Sequence, residues 1–524
     1  MNIDQLPCGS FCVCLVVAVA PILVSLILRQ VMGGKDTGAK LPPGPWNLPV
    51  IGSLHHLIGT NLPTHRAFLR LARRHGPLML LRLGQVPRVI VFTPEAAMEV
   101  LKVNDLTFAS RPSGPTLDIV SCGGKGLIFA PYGDHWRQMR KVCIMELLST
   151  RQVRRIDSIK QAEVTHLVQS VAAASPAIIN IGKELARLTN NIISRAAFGG
   201  KCRLQEAYLG ELDVLASLVG GFSLVELFPS SRLVRWLTSD SRDVRRSHAR
   251  MQRILADIIQ ERKEKKPNTN TCVTSATLDR KEDEDLLDVL LRLHDEGSLR
   301  VPFTSQIIGA VIFDIFGAAT DTTASTLEWA MAELIRHPHV MARAKLELQQ
   351  SLGHHRRSAV TSADLSGLHY LRMVIKETLR LHPSVALIHR ANQEDCQVMG
   401  YDIPKGTSIM INAFAVGTDP THWGEDAVEF RPERFDEMSV EYYNQGPQME
   451  FIPFGAGRRQ CPGALFASTT MELVLANLLY HFDWAIPGGA GPETLDMGEV
   501  FGIVVQTRSS LRLQAVASCH LQDH

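Results

Sequence analysis

The chain lacks any paired-cysteine pattern, any excess of one charge sign, any internal repeat and, between Leu62 and Val516, any second linker rich in Gly, Pro or Ser. Its ten cysteines, at positions 8, 12, 14, 122, 143, 202, 272, 396, 461 and 519, are spread thinly with no CxxC, which argues against a secreted disulfide framework and for reduced thiols. Lys plus Arg number 55 against 53 Asp plus Glu, a net +2, so there is no electrostatic footprint for nucleic acid. Disorder is excluded by 45% hydrophobic and 21% charged residues, a balance that allows a large core. Length alone would suggest three or four domains at about 150 residues each. The missing linkers and repeats favour one body. No GxGxxG follows a strand, since Gly455-Ala456-Gly457 belongs to a different motif, so the chain carries no nicotinamide or flavin domain and any electrons it uses come from outside.

What is present begins with residues 11–28 (FCVCLVVAVAPILVSLIL), where 16 of 18 side chains are apolar and none is charged. That run can cross a hydrocarbon core of about 30 Å. A cleaved secretory signal is the alternative, but no basic region precedes the run and no small-residue cleavage site follows it. Only Asp4 is charged before it, whereas Arg29, Lys35 and Lys40 come after it, so the positive-inside rule puts the rest of the chain in the cytosol. Leu41 to Pro49 (LPPGPWNLP) reads as a stiff extended spacer. The expected division is a membrane anchor at 1–30, a basic and proline-rich hinge at 31–61, and the body at 62–524.

Most of the body reads as helix, with apolar residues at three-to-four spacing in Leu286–Leu293, Thr304–Arg336, Leu371–Leu381 and Ala464–Tyr480. Leu78–Leu83, Arg88–Phe92 and Ser408–Asn412 predict a small sheet, so the class is mainly α with small β-sheets (α+β). Thr304–Arg336 would span about 50 Å at 1.5 Å per residue and must cross the whole body. Glu261–Asp285, polar and charged, predicts a surface loop.

Pro453-Phe454-Gly455-Ala456-Gly457-Arg458-Arg459-Gln460-Cys461-Pro462-Gly463 leads into the helix expected from Ala464, with Pro462 suited to its first position. Cys461 would lie at a helix N-terminus, where the dipole and the charges of Arg458 and Arg459 favour a thiolate. A buried free cysteine beside a glycine-rich turn is the plainer alternative for any isolated cysteine. Here the run fits FxxGxRxCxG at Phe454, Gly457, Arg459, Cys461 and Gly463, and with it the chain resembles the cytochrome P450 family along almost its whole length.

The resemblance implies a P450 fold with an N-terminal transmembrane helix, and a haem b (iron protoporphyrin IX) whose proximal iron ligand is Cys461, the thiolate favouring O–O cleavage. It implies that Glu377 and Arg380, at i and i+3, join Arg434 of Phe430-Arg431-Pro432-Glu433-Arg434-Phe435 in a structural triad without a part in the chemistry. Trp136 and Arg140 of a WxxxR helix, Arg390 and Arg459 would contact haem propionates. Phe454 and Gly463 complete the cofactor-binding set. Ala318-Ala319-Thr320-Asp321-Thr322-Thr323 resembles the family's oxygen-activating element, so Thr322 would steady the oxygen and Asp321 connect it to solvent protons. The alternative is that Thr322 bonds back to a helical carbonyl and Asp321 faces water. Ala319 stands where the family's glycine normally does, which narrows the groove.

The same resemblance implies a monooxygenase using O2, a small apolar substrate and electrons from an NADPH-cytochrome P450 reductase docked on Arg137, Lys141 and Arg458. The membrane would be that of the endoplasmic reticulum, crossed once, with the catalytic domain cytosolic. Phe222, Leu224, Leu227, Phe228, Leu233 and Trp236 could add a second apolar membrane contact. LPPGPWNLPVIG, Phe108-Ala109-Ser110-Arg111-Pro112 and Phe129–Arg137 look like the plant microsomal group of specialised metabolism. By analogy the pocket is lined by 113–125, 218–228, 312–319, 384–388 and 501–505. These segments are mostly apolar and point to a terpenoid, in particular a diterpenoid. Phenolics, oximes and indoles are the alternatives, followed by a non-oxygenating isomerase and a haem-binding protein without catalysis.

Overall fold

The computed structural model describes residues 39–518 apart from 149, 201–203, 219–221, 266–283, 298, 301, 354–358, 439 and 443–447. The expected anchor at 1–30 lies outside the described residues. In chain order, the elements that build the site are α1 (Thr64–Ala72), β1 (Leu78–Leu83), β2 (Val86–Val91), α2 (Asp134–Val142), α3 (Ile181–Phe198), α4 (Gln205–Leu218), α5 (Asp240–Lys265), α6 (Ser305–Arg336), α7 (His369–Leu381), β3 (Leu387–Ala391), β4 (Ser408–Asn412) and α8 (Ala464–His481).

α6 is the axis. Its 32 residues start after Thr304 and stop at His337, which precedes Pro338 and leaves the helical region. The apolar residues cover most of its circumference, as a helix enclosed on all sides requires. It is the one described helix long and apolar enough to cross a membrane, but 61% of its most apolar stretch is buried in the protein, which makes it a core helix. Near its first half Phe316 meets Phe198 of α3 at 5.3 Å and Tyr208 of α4 at 5.1 Å between ring centres. Its second half packs with α7 and α8 in the largest apolar cluster, around Leu327, Met331, Leu371, Val374, Leu473 and Leu478.

The sheet has the order β1-β2-β4-β3. β1 runs antiparallel to β2, β2 parallel to β4 and β3 antiparallel to β4, with Arg88 opposite Ser408 and His389 opposite Met410. Alternation divides its side chains between two cores. Leu78, Val89, Val91, Ile409 and Ile411 pack with Phe108 on one face, while Met79, Leu81, Ile90 and Met410 pack with Phe68, Leu227 and Phe228 on the other.

One expectation is corrected here and another gains a partner. The proline-rich segment is extended, as expected, and its described part is held to the body: Leu80 N–H donates to the Pro43 carbonyl at 2.8 Å, Ser53 N–H to the Arg82 carbonyl at 2.6 Å, and a Cβ on Gly44 would lie 2.0 Å from the Leu80 oxygen. Proline removes donors but keeps carbonyl acceptors, so this segment can cover the exposed edge of β1. At the other site, the expected loop from Glu261 is still helix through Lys265, and Asp285 caps the next helix by accepting from Asp288 N–H at 2.9 Å.

The segment after β4 is tied down by Glu377, Arg380 and Arg434. Arg380 grips Glu377 through two bonds of 2.7 Å with both side chains out of water. Arg434 Nε donates to the same carboxylate at 3.0 Å. The remaining guanidinium hydrogens go to the carbonyls of Gly417, Ala427 and Glu429 from Arg380, and from Arg434 to the carbonyls of Trp423, Asp426 and Glu429 and to the Asp426 carboxylate at 3.3 Å. Glu377→Ala leaves Arg380 without a carboxylate and Arg434 with Asp426 alone, and should cost about 3–5 kcal/mol, read as a lower urea midpoint. A change below about 1 kcal/mol would mean that the carbonyl bonds and Asp426 suffice.

Candidate active site

Cys461 is held in a turn. Its N–H donates to the Phe454 carbonyl at 2.9 Å, and Gly455 and Gly457 take φ of +68° and +71° inside the loop. A Cβ on Gly457 would stand 2.2 Å from the Leu101 oxygen, so only glycine fits. The following helix starts at Ala464, as the sequence suggests, with Gly463 as its cap, so Pro462 precedes the helix instead of taking its first position. Cys461 lies deep in the protein with its side chain incompletely covered. Burial pushes the thiol pKa up, against the Gly463 N–H and the charge of Arg140, which favour the thiolate. The expected partners do otherwise: Arg458 pairs with Asp105 at 3.2 Å near the surface, and Arg459 donates to the carbonyls of Ala109, Leu127 and Ala130.

Four arginines converge from different elements. Arg459 comes from the cysteine loop, Arg140 from α2 and Arg390 from β3, as expected, while Arg111, ahead of α2, was seen in the sequence only as part of a family-like segment. Arg111 donates to the carbonyls of Ile128 and His389. Arg390 donates to the carbonyl of its own neighbour His389 at 3.0 Å. Burial and then their mutual repulsion lower Arg390 well below the ordinary value and Arg459 to about 9; burial lowers Arg111 to about 10, against the pull of Asp314. A guanidinium does not lose its proton in a protein, so these shifts express unneutralised positive charge. Trp136 N–H is committed to the Leu127 carbonyl at 3.2 Å, and its ring lies 4.2 Å from Arg459 Cζ.

On α6, Asp321 and Thr322 are adjacent, and the helix runs unbroken through Ala319. Burial, then the charge of Asp213 on α4, pushes Asp321 up to about 6. Thr322 Oγ1 donates to the Ala318 carbonyl at 2.6 Å, so the back-bond considered for it is present. With its one hydrogen used there, the hydroxyl still offers lone pairs as an acceptor. The Thr322 carbonyl accepts from Ser384 Oγ at 3.1 Å and from Thr326 Oγ1 at 2.8 Å, and Ser325 Oγ donates to the Val505 carbonyl at 2.7 Å. Two expected pocket walls are thereby fastened to α6.

Two further networks escaped the sequence reading. Asp314 Oδ2 accepts from the N–H groups of Leu127 and Ile128, and burial, opposed by those N–H groups and by Arg111, pushes the carboxyl up to about 6. At the far end of α6, Glu333 meets His382 at 2.7 Å, His382 faces Glu499 at 3.8 Å, and Glu499 accepts from Arg66 at 2.6 Å beside His65 at 3.1 Å. His382 also stacks on Trp329 with ring centres 4.1 Å apart. No local pattern signals bonds between residues so far apart in sequence. The only cue was a charged residue inside an apolar run, as Asp314 and Glu333 are.

A family model described as Cytochrome P450 matches residues 42–513, and the chain belongs to the cytochrome P450 family. It is similar, at 44% identity over 94% of each chain, to a desmethyl-deoxy-podophyllotoxin synthase of Sinopodophyllum hexandrum. It is also similar, at 42% identity over 94% of this chain and 95% of the relative, to an ent-isokaurene C2/C3-hydroxylase of Oryza sativa subsp. japonica. A zebra fish cytochrome P450 structure with progesterone has a TM-score of 0.72 at 25% identity, covering 87% of this chain and all of that one. The protein is therefore a plant-type P450 monooxygenase, and the family implies a haem, O2 and a reductase as redox partner. The residues present fit a haem: a cysteine thiol in a glycine-shaped loop, and near it a cationic cluster whose chemistry suits two carboxylates.

The Glu333–His382 pair predicts a pH-dependent stability. Burial would raise Glu333, but hydrogen bonds from His337 and His382 outweigh it and hold the carboxyl down to about 2. Its contribution is full above the unfolded value near 4.5 and lost as pH falls towards 2. His382, raised by Glu333 and Glu499 against its burial, contributes fully below 6.5 and loses its share as pH rises through the raised value. Glu333→Gln should shrink the drop in urea stability between about pH 5 and 3; an unchanged acid limb would assign that drop to other carboxylates.

Proposed function

We propose that the chain binds haem b through Cys461 and inserts one oxygen atom of O2 into an apolar plant terpenoid, in particular a diterpenoid. The observation that carries the oxygenase part is the desolvated Asp321 beside Thr322 on the helix that borders the expected pocket. Haem, when bound, supplies the oxidising centre. Arg111, Arg140, Arg390 and Arg459 would orient its propionates, with Trp136 closing the cluster, and Phe454 and Gly463 would shape the loop around the sulfur. Asp321, with a pKa of about 6, can take up and release a proton close to neutral pH. Thr322, whose own hydrogen is held by the Ala318 carbonyl, would accept a hydrogen bond from a water or O–H group in the pocket and so orient the proton that Asp321 releases. The ent-isokaurene hydroxylase supports a diterpenoid substrate. The podophyllotoxin-pathway relative supports the second reading, a phenolic-derived substrate.

Electrons would come from NADPH-cytochrome P450 reductase. Arg137, Lys141 and Arg458 are exposed on the protein surface, with Ile144 and Met145 also exposed just after α2, which suits a partner with acidic and apolar contacts. Residues 1–30 would anchor the protein once in the endoplasmic reticulum membrane, with 62–524 as the haem-thiolate catalytic domain on the cytosolic side. Leu224, Leu233 and Trp236 are exposed, Trp236 at 75%, and would dip into the same bilayer. Leu227 and Phe228 do not belong to that contact, because they are buried against the sheet, and Phe222 is partly buried beside them.

The decisive measurement is product formed per NADPH oxidised, on a panel of diterpene olefins with excess reductase. Wild type should give oxygenated product that requires O2 and NADPH; no such product from any terpenoid would sink the substrate reading, and turnover without NADPH would sink the oxygenase reading. Thr322→Ala should keep haem and substrate binding but divert NADPH into hydrogen peroxide, and Asp321→Asn should slow the whole cycle by about tenfold or more. Unchanged coupling and rate in both variants would leave these side chains a structural role only.

Deletion of residues 1–40 should release the protein from microsomes only in part, with Leu233→Ser and Trp236→Ser together completing the release. Full release in low salt by the deletion alone would remove the second contact.

A further inference from the structure

Among the described residues the buried cation Arg88 has no hydrogen-bond acceptor, and the opposite charge acting on it is Glu226. Arg88 projects from β2, only 7% exposed, and its Nε is sealed and unbonded. Its neighbour in register, Ser408 on β4, has a hydroxyl that is likewise sealed and unbonded, so the serine does not serve it. The acid that bears on Arg88 electrostatically, Glu226, is engaged by Thr116, whose N–H donates to it at 2.8 Å and whose hydroxyl donates to the same oxygen at 2.5 Å. What does lie beside the guanidinium is the ring of Phe222, 5.4 Å from Cζ. Glu226 offsets part of the charge, but a buried guanidinium with a sealed, unbonded N–H is still costly to hold.

The position is specific. Ser408 and Met410 share one face of β4 by alternation, so their register partners Arg88 and His389 project to that same face. It is the face covered by Leu227 and Phe228, with Phe222 and Phe501 packed alongside, residues of two segments expected to line the pocket. The propionate arginine Arg390 projects to the opposite face. Among the described residues the His389 ring makes no hydrogen bond, and burial followed by the fields of Arg88, Arg111 and Arg390 holds it down to about 3, so near neutral pH it is an uncharged donor within the field of that guanidinium.

We propose that Arg88, assisted by His389, is the anchor for a carboxylate on the substrate. The guanidinium fork matches a carboxylate with two parallel bonds, and the apolar walls around it suit a hydrocarbon skeleton behind that carboxylate. The proposal rests on reading the chain as a P450 oxygenase and narrows its substrate to an apolar acid, held by its carboxylate at the sheet while a distant carbon is oxidised. The reaction that supplies such a substrate must then be one that oxidises a hydrocarbon to the acid.

The test uses the haem-loaded full-length enzyme in detergent near pH 7, titrated optically with three acids and their methyl esters: abietic acid, oleic acid and cinnamic acid. Wild type should bind at least one acid about tenfold more tightly than its ester. Arg88→Leu should bring that pair to parity while ester affinities stay within about twofold, and Arg88→Lys should restore part of the preference. An acid preference that survives Arg88→Leu overturns the proposal, as does the lack of any acid preference in wild type, absence of binding included. Should Arg88→Leu fail to load haem, Arg88→Gln takes its place. Preference confined to the oleic or cinnamic pair supports the anchor and counts against the terpenoid reading, so the two fail separately.

Discussion

A carboxylate that never meets water holds this protein's active-site scaffold in place. Glu377 bridges Arg380 and Arg434, Asp426 supplies the second negative charge at Arg434, and the two guanidiniums use their other hydrogens to gather the carbonyls of residues 417–429. That irregular segment has few ladder bonds of its own, and buried carbonyls without donors would be expensive. The chain leaving it runs on to the loop that presents Cys461. The thiol is therefore placed by electrostatics at one remove: the charges lie in the scaffold, and the cysteine loop itself is shaped by glycines.

Positive charge is distributed with a purpose on both faces of the small sheet. Arg390 joins Arg111, Arg140 and Arg459 on the side of the cysteine loop, where repulsion among cations is a cost that bound carboxylates would offset. Arg88 lies on the opposite face among aromatic and aliphatic side chains. One strand separates two cationic sites of different character, one a cluster and one a single fork.

The long elements were legible because their signals are local. Thr304 and Pro338 bracket α6, Pro383 follows α7, and both the expected strands and the additional β3 alternate cleanly between two cores. The cysteine loop was legible because its pattern is local, and Gly457 is forced in it by close approach to Leu101. What remained hidden depends on partners tens to hundreds of residues away. The proline-rich stretch looked like a spacer since nothing in its own sequence reveals β1 as its neighbour. Arg458 and Arg459 sit beside Cys461 in sequence, yet spend their hydrogens on Asp105 and on backbone carbonyls. Glu333, His382, Glu499 and Arg66 meet only because four separate elements pack together.

Gly126 has no side chain because Asp314 is there: a Cβ would fall 2.2 Å from the carboxylate oxygen. Residues 126–128 are thereby clamped to α6, the helix that also carries Asp321. The stretch from 113 to 125 carries no such clamp to Asp314. Just upstream, Lys125 Nζ donates to Gln306 Oε1 of the same helix at 2.9 Å, so residues 113–124 can change without breaking either bond, whereas a side chain at Gly126 strikes the Asp314 carboxylate directly. One glycine thus marks where the loop passes from backbone the helix leaves alone to backbone it dictates.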